Sequence, residues 1–399
     1  MILSDFVDPV QNPYRPGAGR RPPVLAGRDA LLTAFDVVLR RAEDLGEGDR
    51  GWILSGLRGV GKTVLLNELL RRANDRKWIT AKVEAGTGES LPVALSQSLV
   101  RGMRTATGRH PESRLRRMLG VFKAFSLQVD SAGAVSLGVE VEAVRGVADT
   151  GRFAEDLSAL FEVMAETARD LGVGVLILID ELQEAKPSEL TALNTALHQL
   201  GQDDVPLPLI FVGAGLPSLA AQLAEATSYA ERLYDYRPIG LLDRDAARDA
   251  LTIPTRDLGV GWGAGALTLA EDAASGYPYF LQAIGKHVWD NTISSPITED
   301  DVQAGLHAAR REVDDGLYRS RWERATPAQR DLLRALAELA GDTSTTVAAL
   351  ASHMGKSRAS DLSVARNELI KKGLVYPPER GVLAFTVPGM HEFVRQQET

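Results

Sequence analysis

Between Gly51 and Leu242, short apolar runs alternate with stretches whose apolar residues recur every three or four positions. The runs "GWILS" (51–55), "KWITAKVEA" (77–85), "VGVLILIDELQ" (173–183) and "LPLIFVGAG" (207–215) predict strands. In the last two the apolar residues are nearly continuous, as in a central parallel strand covered on both faces. "ERLYDYRPIGLL" (231–242) predicts an edge strand. Helical spacing marks residues 27–45 (Leu31, Leu32, Phe35, Val38, Leu39), 62–74, 91–118 and 152–172. Residues 125–144 alternate apolar and polar around Ser131-Ala132-Gly133, which predicts a β-hairpin. Strands that alternate with helices imply an α/β fold, a doubly wound parallel sheet.

Beyond Leu242 only the helical period continues, through 243–254, 265–276 and 279–291, then two more helices as far as Trp322. The last segment predicts helices at 326–340, 346–355 and 358–373, followed by strand, turn and strand over 374–390. Three helices and a hairpin are the order of a winged helix-turn-helix. At the other end, Pro13, Pro16, Pro22 and Pro23 with Gly17 and Gly19 predict an extended arm over residues 1–25.

The junction between the first strand and its helix reads "SGLRGVGKTVLL" (55–66). Gly56, Gly61, Lys62 and Thr63 fill the fixed places of G-x-x-x-x-G-K-[ST], the phosphate-binding loop of P-loop NTPases, in the strand–loop–helix context that the motif requires. Backbone N–H groups of Gly56, Leu57, Arg58, Gly59, Val60, Gly61, Lys62, Thr63 and Val64 converge there on phosphate oxygens at a helix N-terminus. Lys62 bridges the β- and γ-phosphates of ATP, and Thr63 offers its hydroxyl to Mg²⁺. The strand ending in Asp180-Glu181 supplies the complement: Asp180 for the metal, Glu181 to orient or deprotonate the attacking water. A capping acidic pair after a core strand is the plainer alternative.

Three weaker signals accompany these. Residues 212–215, "VGAG", hold no polar side chain where one usually senses the γ-phosphate. Arg232 is a candidate arginine finger, with Arg237 a lesser rival. Gly276-Tyr277-Pro278 brings Pro278 and Tyr277 against the adenine, or simply ends one helix and starts another.

These motifs resemble the AAA+-related ATPases of the origin-recognition and archaeal-type branch, which border the signal-transduction ATPases with numerous domains (STAND). The likeness rests on "RPPVLAGRDALL", "GLRGVGKT", "LILIDELQ", the "ER" ahead of the edge strand, "SGYPYFLQ" and the C-terminal winged helix. It implies an AAA+-like sheet followed by an all-helical lid. The expected domains are an arm (1–25), a P-loop ATPase domain (26–241), a lid (242–310) and a winged helix (311–399). It also implies an adenine pocket lined by Val24, Leu25, Gly27 and Arg28. Two departures, the apolar "VGAG" and a tyrosine–proline pair where initiators often carry a lid arginine, point to slow turnover and to ATP as a switch.

Composition narrows the partners. The formal net charge of −8 excludes general polyanion binding, so any DNA contact is local. Lys356 to Lys372 carries five basic and two acidic residues, but 311–399 holds 13 basic and 12 acidic. Double-stranded DNA and a protein surface therefore stay open as partners of the winged helix. The first is the reading of an ATP-switched DNA-binding protein, the second that of a STAND-like regulatory or defence ATPase; self-assembly is a further expectation. A metabolic kinase is disfavoured, since no acceptor-pocket residues announce a small substrate. With no cysteine, no signal-peptide pattern and no membrane-length apolar run, a cytoplasmic location without membrane contact is expected.

Overall fold

The computed structural model describes residues 6–86, 88–129, 141–202 and 205–397. The chain divides into two compact units, one of Ala30–Gly56 with Lys62–Pro238, the other of Met1–Asp29, Leu57–Gly61 and Ile239–Thr399.

The first unit is built on five parallel strands, β1 (Gly51–Ser55), β2 (Ile79–Glu84), β3 (Val175–Asp180), β4 (Leu209–Gly215) and β5 (Tyr234–Pro238), in the order β2-β3-β4-β1-β5. Every residue of β3 and β4 is buried, which accounts for their unbroken apolar runs: helices cover both faces and leave no solvent side to alternate toward. β5 pairs only with β1 and shows the mixed burial of an edge. Helices Asp29–Leu45, Lys62–Asp75, Leu91–Thr107, Glu112–Val129, Phe153–Leu171 and Pro187–Leu200 supply the layers. The hairpin expected around Ser131–Gly133 lies outside the described residues. Its predicted first strand is corrected in part: Phe125–Val129 finishes the helix that starts at Glu112, because Met118, Phe122 and Phe125 bury one helical face.

Position along the parallel strands fixes what lies where. β1 and β4 run in register from Trp52↔Val212 to Ser55↔Gly215, and β2 ends with Glu84 opposite Asp180. Ser55, Asp180 and Gly215 therefore finish at the same edge of the sheet.

From Arg244 to Arg319 the second unit is helical: Arg244–Arg256, Ala264–Ala274, Pro278–Asn291 and Glu299–Val313, then a π-helical turn Asp314–Arg319. The N-terminal arm belongs to this core. It contains one 3-10 turn, Pro9–Gln11, where the prolines had predicted none: the Asp8 carboxylate accepts from Val10 N–H, and proline suits the first helical position. Val7 N–H donates to the Ile293 carbonyl, Trp289 Nε1 to the Asp8 carbonyl, and Asn12 Nδ2 to the Lys286 carbonyl. Tyr14 is buried, its ring over Gly285 and its hydroxyl on the Leu251 carbonyl. The segment after Trp322 runs helix Pro327–Ala340, strand β6 (Ser344–Thr346), helix Val347–His353, helix Ser363–Lys371, then strands β7 (Val375–Tyr376) and β8 (Val382–Phe385), and ends in helix Met390–Arg395. The three strands form an antiparallel sheet in the order β6-β8-β7. Of these, β6 and the last helix carry too short a pattern to be read from sequence. No helix among the described residues is long and apolar enough to cross a membrane.

Tyr14 gives the arm a measurable role. Tyr14→Ala is expected to destabilise the protein by about 3 to 5 kcal/mol, the range for deleting a buried aromatic, in urea-monitored unfolding. An unchanged midpoint would mean that the arm does not dock.

Candidate nucleotide-binding site

Gly56 leaves β1 with its N–H on the Gly215 carbonyl at 3.1 Å, so the loop departs from the end of β4 as well as from β1. Gly59 (φ +79°) and Gly61 (φ +96°) hold conformations that L side chains rarely adopt. At Gly61 a Cβ would point into open space, whereas at Gly59 it would strike the Tyr277 hydroxyl. Lys62 opens the helix Lys62–Asp75 and is buried, its ammonium donating to the Gly56 carbonyl at 2.9 Å across the base of the loop. Thr63 and half-buried Val64 come next in the first turn.

From β3, Asp180 meets that turn. Thr63 Oγ1 donates to Asp180 Oδ2 at 2.6 Å, and Asp180 Oδ1 accepts from the Glu181 N–H at 3.0 Å. Asp180 is buried, yet both oxygens are satisfied. A hydroxyl and a carboxylate in contact are two hard oxygen donors, the ligand chemistry that suits Mg²⁺. Lys82 stands nearby on β2. Burial lowers its pKa, opposed by the Asp180 and Glu84 charges. Glu181 takes a left-handed conformation (φ +49°), unusual for a residue with a Cβ. Gln183 Nε2 donates to Glu181 Oε2 at 2.6 Å.

The tip of the loop, Leu57–Gly61, is part of the second unit. Tyr277, buried and with its phenol pushed up by that burial, donates to the Arg58 carbonyl. The Arg58 N–H donates to the Thr386 carbonyl at 3.1 Å, just past β8. Arg28 Nη2 donates to the carbonyls of Val60 (3.4 Å) and Gly240 (2.7 Å). Burial lowers the Arg28 pKa, against the pull of Asp243. Val60 is buried and Leu57 half-buried, as are Val24 and Leu25, with Val24 against the helical core. Pro278 occupies the first turn of helix Pro278–Asn291 and is half-buried.

The structure separates the two arginines. Arg232 is exposed, in the short helix Ala230–Leu233 just ahead of β5. β5 starts opposite Gly51 and ends opposite Ser55, so Arg232 lies at the strand-start end of the sheet, away from Gly56 and Lys62. Arg237 lies 3.5 Å over the Trp52 ring and pairs with Asp235 at 2.7 Å, a packing role within the sheet.

The sequence did not show what three of these groups bond to. Tyr277 was expected either against the adenine or as part of a plain helix boundary; its hydroxyl bonds to the Arg58 carbonyl. Thr386 carried no signal at all. Gln183, two residues after Glu181 in "DELQ", could have pointed either way until the 3-10 turn Leu182–Glu184 folded it back.

Residues 24–212 match the model of the AAA ATPase domain, and residues 315–394 match one described as "Domain of unknown function (DUF8462)". No curated protein matches the chain in sequence. Among solved structures it is similar to the Walker-type ATPase PABY2304 of Pyrococcus abyssi, at 17% identity over 96% of this chain and 98% of that one, TM-score 0.59. The ORC2 protein of Aeropyrum pernix, solved as ADPNP–ADP complexes, is also 17% identical over 95% and 96%, TM-score 0.56. At such identity the likeness is one of fold. It agrees with the strand order in placing the first unit among P-loop NTPase folds.

The Thr63–Asp180 contact predicts a metal-dependent defect. Thr63→Ala is expected to erase the difference in ATP affinity between magnesium-containing and EDTA-containing buffer in calorimetry. A variant that keeps the parent's magnesium effect would remove Thr63 from the metal's oxygen set.

Proposed function

We propose that the protein is a magnesium-dependent AAA+-like ATPase of the cytoplasm that hydrolyses ATP slowly and uses the bound nucleotide as a switch. The observation that carries this reading is the 2.6 Å contact between Thr63, on the glycine loop's helix, and Asp180, at the end of β3. It joins the two halves of a phosphate site that are far apart in sequence. Lys62 and the N–H groups of the glycine loop bind the β- and γ-phosphates. Magnesium, where bound, neutralises charge on the phosphates, with Thr63 and Asp180 the residues to hold it. Glu181 orients a water and takes its proton. Strand β4 offers no side chain at Gly213 or Gly215 to assist, which supports slow turnover.

The order of arm, ATPase domain, helical lid and winged helix (1–25, 26–241, 242–310, 311–399) is part of the same proposal. The helix–strand–helix–helix–strand–strand succession from Pro327 to Phe385 supports the winged helix. Tyr277 and Thr386, both bonded to Arg58 backbone, give the region after Gly276 a path to sense the loop. We read the output as contact with double-stranded DNA. A second reading, a STAND-like regulatory ATPase with a protein partner, is favoured by how the basic residues are used. Lys372 donates to the Arg324 carbonyl and to Gln329, Lys371 pairs with Glu368, and Val364 is 76% exposed on the same helix.

Glu181→Gln is expected to keep ATP affinity within about twofold and to lower hydrolysis by roughly 10² or more, the scale of a lost general base. Parallel calorimetry and phosphate release check this, and equal loss of binding and turnover would overturn the assignment.

Arg232, at the far end of its own sheet, can serve a nucleotide only across a contact between copies. Arg232→Ala should therefore lower hydrolysis at protein concentrations where copies associate and leave it unchanged where they do not, as read by turnover against concentration. A defect independent of concentration would count against action between copies.

Reversal of Arg358 and Arg366 to glutamate should weaken DNA binding and flatten its salt dependence by roughly one unit per lost phosphate contact. Fluorescence anisotropy at two salt concentrations, with and without ATP, measures both. If the parent binds no DNA at low salt in either nucleotide state, the protein-contact reading replaces this one.

A further inference from the structure

The glycines of β4 raise a question that the loop does not answer. Neither Gly213 nor Gly215 has a positive φ, so backbone conformation does not demand glycine at either place. Space does. A Cβ at Gly215 would lie 2.5 Å from Gln183 Oε1 and 2.8 Å from Leu219 Cδ2, and one at Gly213 would lie 2.7 Å from Leu182 Cδ2. The end of β4 is bare because the turn after β3 occupies it.

The orientation of the Gln183 carboxamide there is fixed by its neighbours. The Leu216 N–H is an obligate donor, so Oε1 must face it, and the bond is 3.1 Å long. Nε2 then faces two acceptors, Glu181 Oε2 at 2.6 Å and Glu184 Oε1 at 3.3 Å. A flipped amide would set its NH₂ against an N–H and its oxygen against carboxylates. The Gly215–Leu216 peptide that meets Oε1 accepts the Gly56 N–H through its carbonyl at 3.1 Å. A continuous relay thus runs from the first glycine of the phosphate loop through this peptide and Gln183 to the Glu181 carboxylate. Glu181, in its left-handed conformation, needs such support, since a non-glycine residue persists there only where its surroundings over-determine it.

The geometry points to Gln183 as the positioning residue of the hydrolytic site: from the turn after β3 it ties Glu181 to the end of β4 and so aims the Glu181 carboxylate. This rests on the ATPase reading above. Gln183 acts through Glu181 and Leu216, so its loss alters turnover and leaves nucleotide binding alone.

The test compares the parent with Gln183→Leu, which keeps the bulk and removes both hydrogen bonds, and with Gly215→Ala, which pushes the carboxamide out from the opposite side. Phosphate release, ATP calorimetry and amide hydrogen exchange are measured on the full chain. For Gln183→Leu we expect kcat to fall about 10- to 100-fold, the range for groups that orient a reacting residue, with the KM for ATP and ATP affinity within about twofold of the parent. Exchange at the Leu216 amide should quicken in the absence of nucleotide. Gly215→Ala should reproduce the kcat loss, and the double variant should be no worse than either single one. A Gln183→Leu protein with parental kcat, or with an unchanged Leu216 exchange rate, overturns the proposal, as does a loss that falls equally on kcat and ATP affinity. If Gly215→Ala fails to fold, Gln183→Leu alone decides. A parent that binds ATP without any turnover would instead defeat the ATPase reading, and the positioning role with it.

Discussion

The site depends on the end of a parallel sheet. Parallel pairing makes all five strands point one way, so each C-terminal residue and the segment after it reaches the same edge. At that edge the Gly56 N–H is fixed by the Gly215 carbonyl, and the Thr63 hydroxyl by Asp180. Both bonds join segments more than a hundred residues apart. An antiparallel partner at β3 would carry Asp180 to the other end of the sheet and leave Lys62 and Thr63 with no acid to work beside.

The same rule sorts the remaining polar groups. Residues just after a strand belong to the glycine-loop end, as Glu181 and Gln183 do. Residues just before one belong to the far end, as Arg232 does ahead of β5. Arg232 and Arg237 stand five residues apart and look alike as candidates, yet one is exposed before its strand while the other is stacked on Trp52 within it. Strand position, more than residue type, decides what each can do. The glycines of β4 obey packing in the same way: their absence of side chains complements Leu182 and Gln183.

The strongly patterned elements were legible because burial on both faces forces a distinctive composition. β3 and β4 admit almost nothing polar, so their sequences announce them. The glycine loop was equally legible, since its fixed glycines, lysine and threonine stand at set spacing and the positive φ at Gly61 favours glycine there. Less could be read where an element is short or its partners are remote. β6 has three residues, and the arm was read as merely extended since nothing in its prolines names the helix Pro278–Asn291 as its dock. The predicted hairpin strand at Phe125–Val129 proved helical because tertiary burial of Met118, Phe122 and Phe125 overrode a local alternation of only a few residues.

By itself, then, the sequence determined the alternation of strands and helices, the glycine loop, and the acidic pair after the central strand. All three are local patterns, set by periodicity, by backbone conformation and by burial of one segment. Tertiary structure alone decided that Tyr277 bonds to the backbone of Arg58 and that Arg237 packs as Arg232 does not. It alone turned Gln183 from a neighbour of Glu181 in the chain into a bridge to Leu216. Each of these is a contact whose partner lies far along the chain, and hydrogen-bond direction, steric room and strand register act only once the partners have been brought together.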